Sequence, residues 1–564
     1  MDSADRAAAA ASWADIVLFG RTIQEERAVC GSRQQGTNAM KRQKISKRSL
    51  LCYTLFVAMC VFIILLKKQM HVDEYISYGS ANHIGNLHID VEDCKTYTLS
   101  DTPFLRYMAA DRQDRFNYRN VWQNQAADVH PPLYYTILHT ICSLFPGTFS
   151  FWYAGAVNIV FGVMTLYVLR RLLRAFCGND APVNLLSATY IVSAGVMSSI
   201  SFFRMYVMAM FFVTLISLCF VEAVGKPLHA RFYGAIAAVS VLGALTHYYF
   251  IVYLVLICIV FGIDLLLCRK YKELGLFAVS MAGAGGLSIA IFPPMLRHIF
   301  SGYRGKESID NLLVPSLENY LPRLRAFWDY ISTELFGGSA PFILLTAAVI
   351  ALSGISFLKT RKISARKKPA DSRASLFKWI LLAVPASLYF LLVSRMAVYV
   401  ADRYLFPIYA VALCLFTSMV YLSFRKITNV ISAADLATLL LCGVVILCSW
   451  KNTTWNYIYR NEGARFKELE KYRETDCIIV YDHRWKTEST FLEASIYNSV
   501  TFFPLADPEL IDTFELSPDS LIVLAVGDND EIIRLVSDKF PQLDQHIEAG
   551  SYAYSTTYYF YRGD

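Results

Sequence analysis

The chain has 564 residues, of which 55% are hydrophobic and only 18% charged, against about a quarter charged in an ordinary soluble domain. With a mean hydropathy of +0.38, and apolar runs of membrane-spanning length through most of its course, it is not a string of soluble domains. The net charge of +7, from 53 Lys and Arg against 46 Asp and Glu, gathers in clusters beside apolar runs; it bears on membrane orientation and implies no nucleic-acid partner.

Residues 1–49 read as a cytoplasmic tail, polar and Ala-rich, without the apolar core and cleavage site of a signal peptide. Lys41, Arg42, Lys44, Lys47 and Arg48 precede the first apolar run, about 50–66, and should hold its N-terminal end in the cytoplasm. The loop 67–148 is then exoplasmic, with Lys67 and Lys68 snorkelling to the interface. Within it, Pro131 to Phe145 is expected to be an interfacial helix, because counting it as a span would move every later basic cluster to the outside.

Further spans are expected near 149–170, 181–200, 204–224, 232–247, 248–267, 276–296, 340–358, 377–394, 403–424 and 430–449, about eleven in all. Counted from an inside N-terminus, they leave Arg170–Arg174, Arg269–Lys272, Lys359–Arg373 and Arg425–Lys426 in the cytoplasm. Residues 50–450 thus form the membrane domain. From 451 to 564 the composition changes: Cys477–Tyr481 and Ser520–Val526 read as buried strands and Asp530–Lys539 as a helix, which makes a small exoplasmic α/β domain. The thirteen cysteines show no CxxC or Cys/His ligand spacing, so neither a zinc site nor a disulfide framework is indicated.

The residues able to carry chemistry collect at one membrane level. Asp73 and Glu74 follow the first span directly, where low dielectric on one side suits a general base. Asp128 and His130 precede Pro131-Pro132, expected to open the interfacial helix and to leave both at its N-terminus. Arg204-Met-Tyr206, His247-Tyr248-Tyr and Asp402-Arg403-Tyr interrupt apolar sequence, where an ionisable group is costly unless it is paired or faces a cavity. Each of these segments also has a plain structural reading, as an interfacial anchor, a capped helix start or a satisfied core histidine. Their convergence on one face favours the functional one.

In this order, Asp73-Glu74, His-Pro-Pro-Leu-Tyr-Tyr (130–135), Arg204-Met-Tyr, Thr246-His-Tyr-Tyr-Phe and Arg403-Tyr-Leu-Phe-Pro resemble the polytopic GT-C glycosyltransferases over residues 50–425. The nearest likeness is to family 39-like enzymes, which are related to lipid A aminoarabinose transferases and protein O-mannosyltransferases. The resemblance implies a mainly α, polytopic GT-C-like fold in a membrane, a bacterial cell membrane by the nearest likeness. It implies transfer of a sugar from a polyprenyl-phosphate donor to a hydroxyl of a glycan, lipid or protein on the exoplasmic face. Asp73 would be the base of an inverting displacement with Glu74 beside it, and Arg204, His247 and Arg403 are the candidates for the lipid phosphate. His130 and Asp128 would line the donor or acceptor pocket, and Tyr206 and Tyr248 would bond the sugar or phosphate. No metal site is evident; Asp73, Glu74 and Asp128 are the acids that can hold a divalent cation. The loop 297–339, with Tyr303, Arg304, Lys306 and Glu307, is long enough to be either a lid or a plain surface loop. A secondary transporter or lipid flippase, or an inactive scaffold of the same fold, are the competing readings. The first of these predicts ionisable groups near span midpoints and broken helices.

Overall fold

The computed structural model describes residues 46–563 apart from 86, 99–102, 179, 314–315, 345, 348–368, 429–430, 514–517 and 553. Among the described residues, eight helices are long and apolar enough to cross a membrane. They are Lys47–Leu66, Phe151–Cys177, Tyr206–Ala223, Tyr248–Leu267, Tyr271–Ile291, Arg373–Met396, Phe406–Lys426 and Ala433–Asn452. The chain is an integral membrane protein.

Three of the eleven expected runs are not among these eight, and the bent pair described next makes a ninth if it is one span. The run expected at 181–200 is a pair of helices, Asp180–Ile191 and Ala194–Ser201, bent by 53°; Ser193 between them is extended and its hydroxyl accepts from the Val196 N–H, starting a new helix. The run expected at 232–247 stops at Ala244 after 15 residues, because His247 is extended and caps the next helix. The run at 340–358 falls largely outside the described residues.

Tyr206–Ala223 and Phe406–Lys426 are the central helices, each with 78% of its apolar window buried, against 17% for the peripheral Tyr271–Ile291. A helix apolar all round is either core or lipid-facing, and these figures separate the two cases. The interfacial segment is the twelve-residue helix Leu133–Leu144, too short to span. It starts later than expected: Pro132 is its N-cap, and Asp128 caps the C-terminus of the preceding helix Tyr118–Ala127. The segment 297–339 is helical rather than a loop, as Pro294–Phe300, Tyr303–Leu313 and Leu317–Phe336.

The C-terminal region builds a six-stranded sheet from β1 (Thr96–Thr98), β2 (Asp476–Tyr481), β3 (Ser499–Pro504), β4 (Ser520–Val526), β5 (Gln545–Tyr552) and β6 (Ser555–Tyr561), in the order β1-β3-β2-β4-β6-β5. β3, β2 and β4 are parallel, and the other neighbours are antiparallel. Central parallel strands are covered on both faces and read as unbroken apolar runs, so β2 and β4 were visible in sequence. The edge strand β1 belongs to the first loop, which ties that loop to the C-terminal sheet. One face, with Ile478, Val480, Leu521 and Val523, packs on helix Asn529–Lys539 through Ile532 and Val536. The alternate residues Cys477, Ile479, Phe502 and Leu524 join the main core. Phe491 completes the joint, 5.4 to 6.1 Å ring to ring from Phe149, Phe104 and Tyr75 of the first-loop region.

Candidate active site

The first span ends at Leu66, and the helix Val72–Asn82 begins at once with a capping box: His71 Nδ1 accepts from the Asp73 N–H at 3.1 Å, and Glu74 accepts from the His71 N–H at 2.6 Å. The two neighbouring acids therefore part. The Glu74 side chain is fully buried and also accepts from Lys67 Nζ at 2.9 Å and the Phe203 N–H at 2.7 Å. Lys67, expected to snorkel, is equally buried and donates as well to the Tyr457 carbonyl at 2.5 Å, so it pairs inside the protein instead of reaching water. Burial raises the Glu74 carboxyl and lowers the Lys67 ammonium, and each partner opposes the other's shift.

The Asp73 side chain keeps 27% of its surface open and meets Arg403 Nη1 at 3.3 Å. Burial alone would raise its carboxyl, but Arg403, then Arg204, outweigh it and hold Asp73 well below the usual carboxylate range. His71 is lowered to about 4, by burial first and then by Arg403, Arg204 and Lys67 against the pull of Asp73, so at neutral pH its Nδ1 is an acceptor, as its cap requires.

Arg204 sits in the break between Ala194–Ser201 and Tyr206–Ala223, where Asn158 Nδ2 satisfies the carbonyls of Ile200 and Phe202 at 3.0 and 2.8 Å. Its Nη1 donates to the Asp73 carbonyl at 2.7 Å and to Ser77 Oγ at 2.9 Å, and its Nη2 donates to His130 Nε2 at 3.1 Å. With Nε2 accepting, His130 Nδ1 carries the proton and donates to Asp128 Oδ2 at 2.6 Å. Asp128, His130, Arg204 and the Asp73 backbone thus form one bonded chain. Burial would raise Asp128, but His130 holds it below its ordinary value.

Arg403 lies on the single turn Asp402–Tyr404 between two membrane helices. Asp402 is buried and accepts from the Arg403 N–H at 2.7 Å, from Asn456 Nδ2 at 3.4 Å and from the Tyr457 hydroxyl. Against it stands the buried Glu334, which accepts from the Tyr409 hydroxyl at 2.7 Å. Burial and then Asp402 push Glu334 well above its ordinary value. The Nε–H groups of both Arg204 and Arg403 are buried without a protein partner. Two guanidinium groups with unused donors, next to a half-open carboxylate, suit an anionic oxygen cluster such as a phosphate.

His247 is buried and caps Tyr248–Leu267, its Nδ1 accepting from the Tyr249 N–H at 3.1 Å; burial first, then His130 and Arg204, depress its pKa, so it stands ready as a neutral Nε2–H donor. Tyr206 packs on His247 with ring centroids 5.0 Å apart. Tyr248 turns elsewhere, its hydroxyl 2.8 Å from His298 Nδ1. Among the described residues, no group of three or more His, Cys, Asp or Glu side chains is arranged to hold a metal ion. Sequence reasoning missed Tyr457 and Tyr554. Tyr457 stacks on Phe202 at 4.1 Å, and the Tyr554 ring lies 6.3 Å from that of His71. Both come from beyond residue 450, outside every segment singled out for chemistry.

No protein-family model matches the chain, and no curated protein matches its sequence. Among solved structures, it is similar to ArnT from Cupriavidus metallidurans bound to undecaprenyl phosphate, with a TM-score of 0.50 and 10% identity over 91% of this chain and 97% of that one. It is also similar to the archaeal oligosaccharyltransferase AglB from Archaeoglobus fulgidus in complex with an inhibitory peptide and a dolichol-phosphate. There the TM-score is 0.41 and the identity 11%, over 84% of this chain and 69% of that one. The first likeness runs nearly end to end and carries the fold: this is a polytopic membrane protein with the GT-C architecture. A coverage of 91% cannot be reached within residues 50–425, so much of the C-terminal region belongs to the shared fold.

Proposed function

We propose that the protein is a glycosyltransferase that moves a sugar from a polyprenyl-phosphate carrier to a hydroxyl acceptor. The observation that carries this reading is the half-open Asp73 carboxylate beside two buried arginines, both with unpartnered Nε–H donors, where membrane helices end. The likeness in fold to ArnT bound to undecaprenyl phosphate supports it. Arg204 and Arg403 bind the carrier phosphate, with His247 as a neutral donor. The acceptor oxygen attacks the anomeric carbon, its proton passes to Asp73, and the bond from the anomeric carbon to the phosphate oxygen breaks with its electron pair leaving on the lipid phosphate. One carboxylate suffices, so the displacement inverts the anomeric centre. Asp73 is a weak base while Arg403 faces it alone; a bound phosphate shares that guanidinium and adds negative charge, which raises the basicity of Asp73 when the donor is in place. Glu74, enclosed by Lys67 and two backbone donors, is a positioning residue that fixes the helix start carrying Asp73.

The site faces the exoplasm in this reading. Arg170, Arg171 and Arg174 end the second span and Arg425 and Lys426 end another, all on ends away from the site, as the positive-inside rule requires of cytoplasmic ends. The test is binding of undecaprenyl phosphate to the purified full chain in nanodiscs, together with release of radiolabelled sugar from a panel of polyprenyl-phosphate donors. Binding weakened at least tenfold by Arg204→Ala or Arg403→Ala, with turnover of at least one donor by wild type, is the expected result. A wild type that neither binds the lipid phosphate nor turns over any donor overturns the reading.

A further inference from the structure

Trp485 and Tyr554 are both partly exposed, and neither packs into the hydrophobic clusters of the protein. Burying a Trp normally contributes strongly to stability, so a Trp left partly open in a folded region, outside its hydrophobic clusters, calls for a reason. Its position supplies one. Tyr554 occupies the turn between β5 and β6, and Tyr552 ties that turn to the membrane domain by donating its hydroxyl to the Met70 carbonyl. Tyr459 packs on Tyr552 at 5.1 Å. The Tyr554 ring therefore stands over His71, at 6.3 Å, and His71 Nδ1 is 3.8 Å from Asp73 Oδ2. Trp485, on the short helix after β2, meets Tyr554 edge to face at 5.6 Å, one ring further from Asp73.

Polar groups flank these rings. Lys486 Nζ lies 5.9 Å from the Trp485 ring centre and pairs with Asp482 Oδ2 at 2.6 Å, while Asp482 Oδ1 is buried and takes no partner. Two aromatic rings meeting edge to face, with an ammonium over one of them and a carboxylate paired to it, match a sugar ring: its C–H face packs on an aromatic ring, and its hydroxyls bond the neighbouring charged groups. A lipid chain would call for an apolar surround without the Lys486–Asp482 pair.

We propose that Tyr554 and Trp485 form a carbohydrate subsite that presents a glycan acceptor to Asp73, the sugar bearing the attacked hydroxyl lying at Tyr554 and its neighbour on Trp485. This rests on the glycosyltransferase reading for its purpose and adds the acceptor class. The test is direct binding, independent of any donor. The full chain in nanodiscs is titrated with mannotetraose, galactotetraose, cellotetraose and the N-acetylglucosamine tetramer, followed by tryptophan fluorescence and saturation-transfer NMR. The account expects at least one oligosaccharide to bind, with affinity lowered at least tenfold in Trp485→Ala and in Tyr554→Ala and kept within about threefold in Trp485→Phe, which preserves an aromatic face. Binding by none of the four, or binding indifferent to both alanine variants, overturns the subsite, as does transfer by wild type to a sugar-free peptide or lipid hydroxyl that the two variants leave untouched. Donor turnover by wild type without oligosaccharide binding would leave the enzyme reading standing and remove only this subsite; absence of donor turnover with binding intact would do the reverse.

Discussion

Arginines stand at both ends of the membrane helices and are treated in opposite ways. Away from the site, Arg170 is buried and donates to Ser187, Ser49 and Asn184 at 2.7 to 3.1 Å. There too, Arg171 clasps Glu222 at 2.7 and 2.8 Å, and Arg174 clasps Asp180 at 2.6 and 2.8 Å. At the site, Arg204 donates to a carbonyl, a hydroxyl and an imidazole, Arg403 has one ion pair at 3.3 Å, and both leave Nε unused. A buried guanidinium with a donor to spare is costly for stability. On the proposed reading, the difference separates arginines that close contacts from arginines that keep a donor for an incoming anion.

Removing the open pair has the largest expected effect. Arg204→Ala and Arg403→Ala should each lower sugar transfer about 10²–10³-fold, the usual effect of losing a donor aimed at developing charge. Lysine at either position should fail to restore it, because a point charge replaces a fork of five donors. Transfer rates at saturating donor check both.

The next effect is on pH. Asp73 is held below the usual carboxylate range, so it stays ionised as pH falls through 5 and 4, and the acid limb of kcat/KM, which reports the free enzyme, should lie below pH 4. By the same sign, the stability that this ionised Asp73 contributes is complete above its unfolded value and is lost only as pH falls through the lower folded one. Arg403→Gln removes the largest opposing charge and leaves burial, so the limb should move up by at least about one pH unit. An unmoved limb would detach Arg403 from Asp73.

A stability effect follows. Lys67→Met leaves Glu74 buried and unpaired, and should cost about 3–5 kcal/mol, read as a lower denaturation midpoint. The smallest effect belongs to the closed end: Arg171→Ala breaks a half-exposed pair and should cost about 0.2–1 kcal/mol, with transfer unchanged.

Much of this arrangement is legible in sequence because an ionisable residue inside apolar sequence is conspicuous. Arg204 and Arg403 stand out for that reason, Asp73 for following the first span directly and Asp128 and His130 for preceding Pro131-Pro132, and the structure joins them by bonds. The separate fates of Asp73 and Glu74 are not legible, since they depend on Lys67 and the Phe203 N–H reaching one acid and leaving the other open. Nor are Tyr457 and Tyr554, which arrive from the far end of the chain; the bond from Lys67 to the Tyr457 carbonyl spans 390 residues. The breaks within two expected spans are local too: Ser193 caps a new helix inside the run 181–200, and His247 caps one at the end of the run 232–247.

The most direct test of Asp73 as the base is transfer from a polyprenyl-phosphate sugar by the full chain in nanodiscs, wild type against Asp73→Asn, with undecaprenyl phosphate binding measured on the same samples. Transfer lowered about 10²–10⁴-fold in Asp73→Asn, with the lipid phosphate still bound, is the expected result. Transfer within twofold of wild type in Asp73→Asn, with the lipid bound equally well, would contradict it.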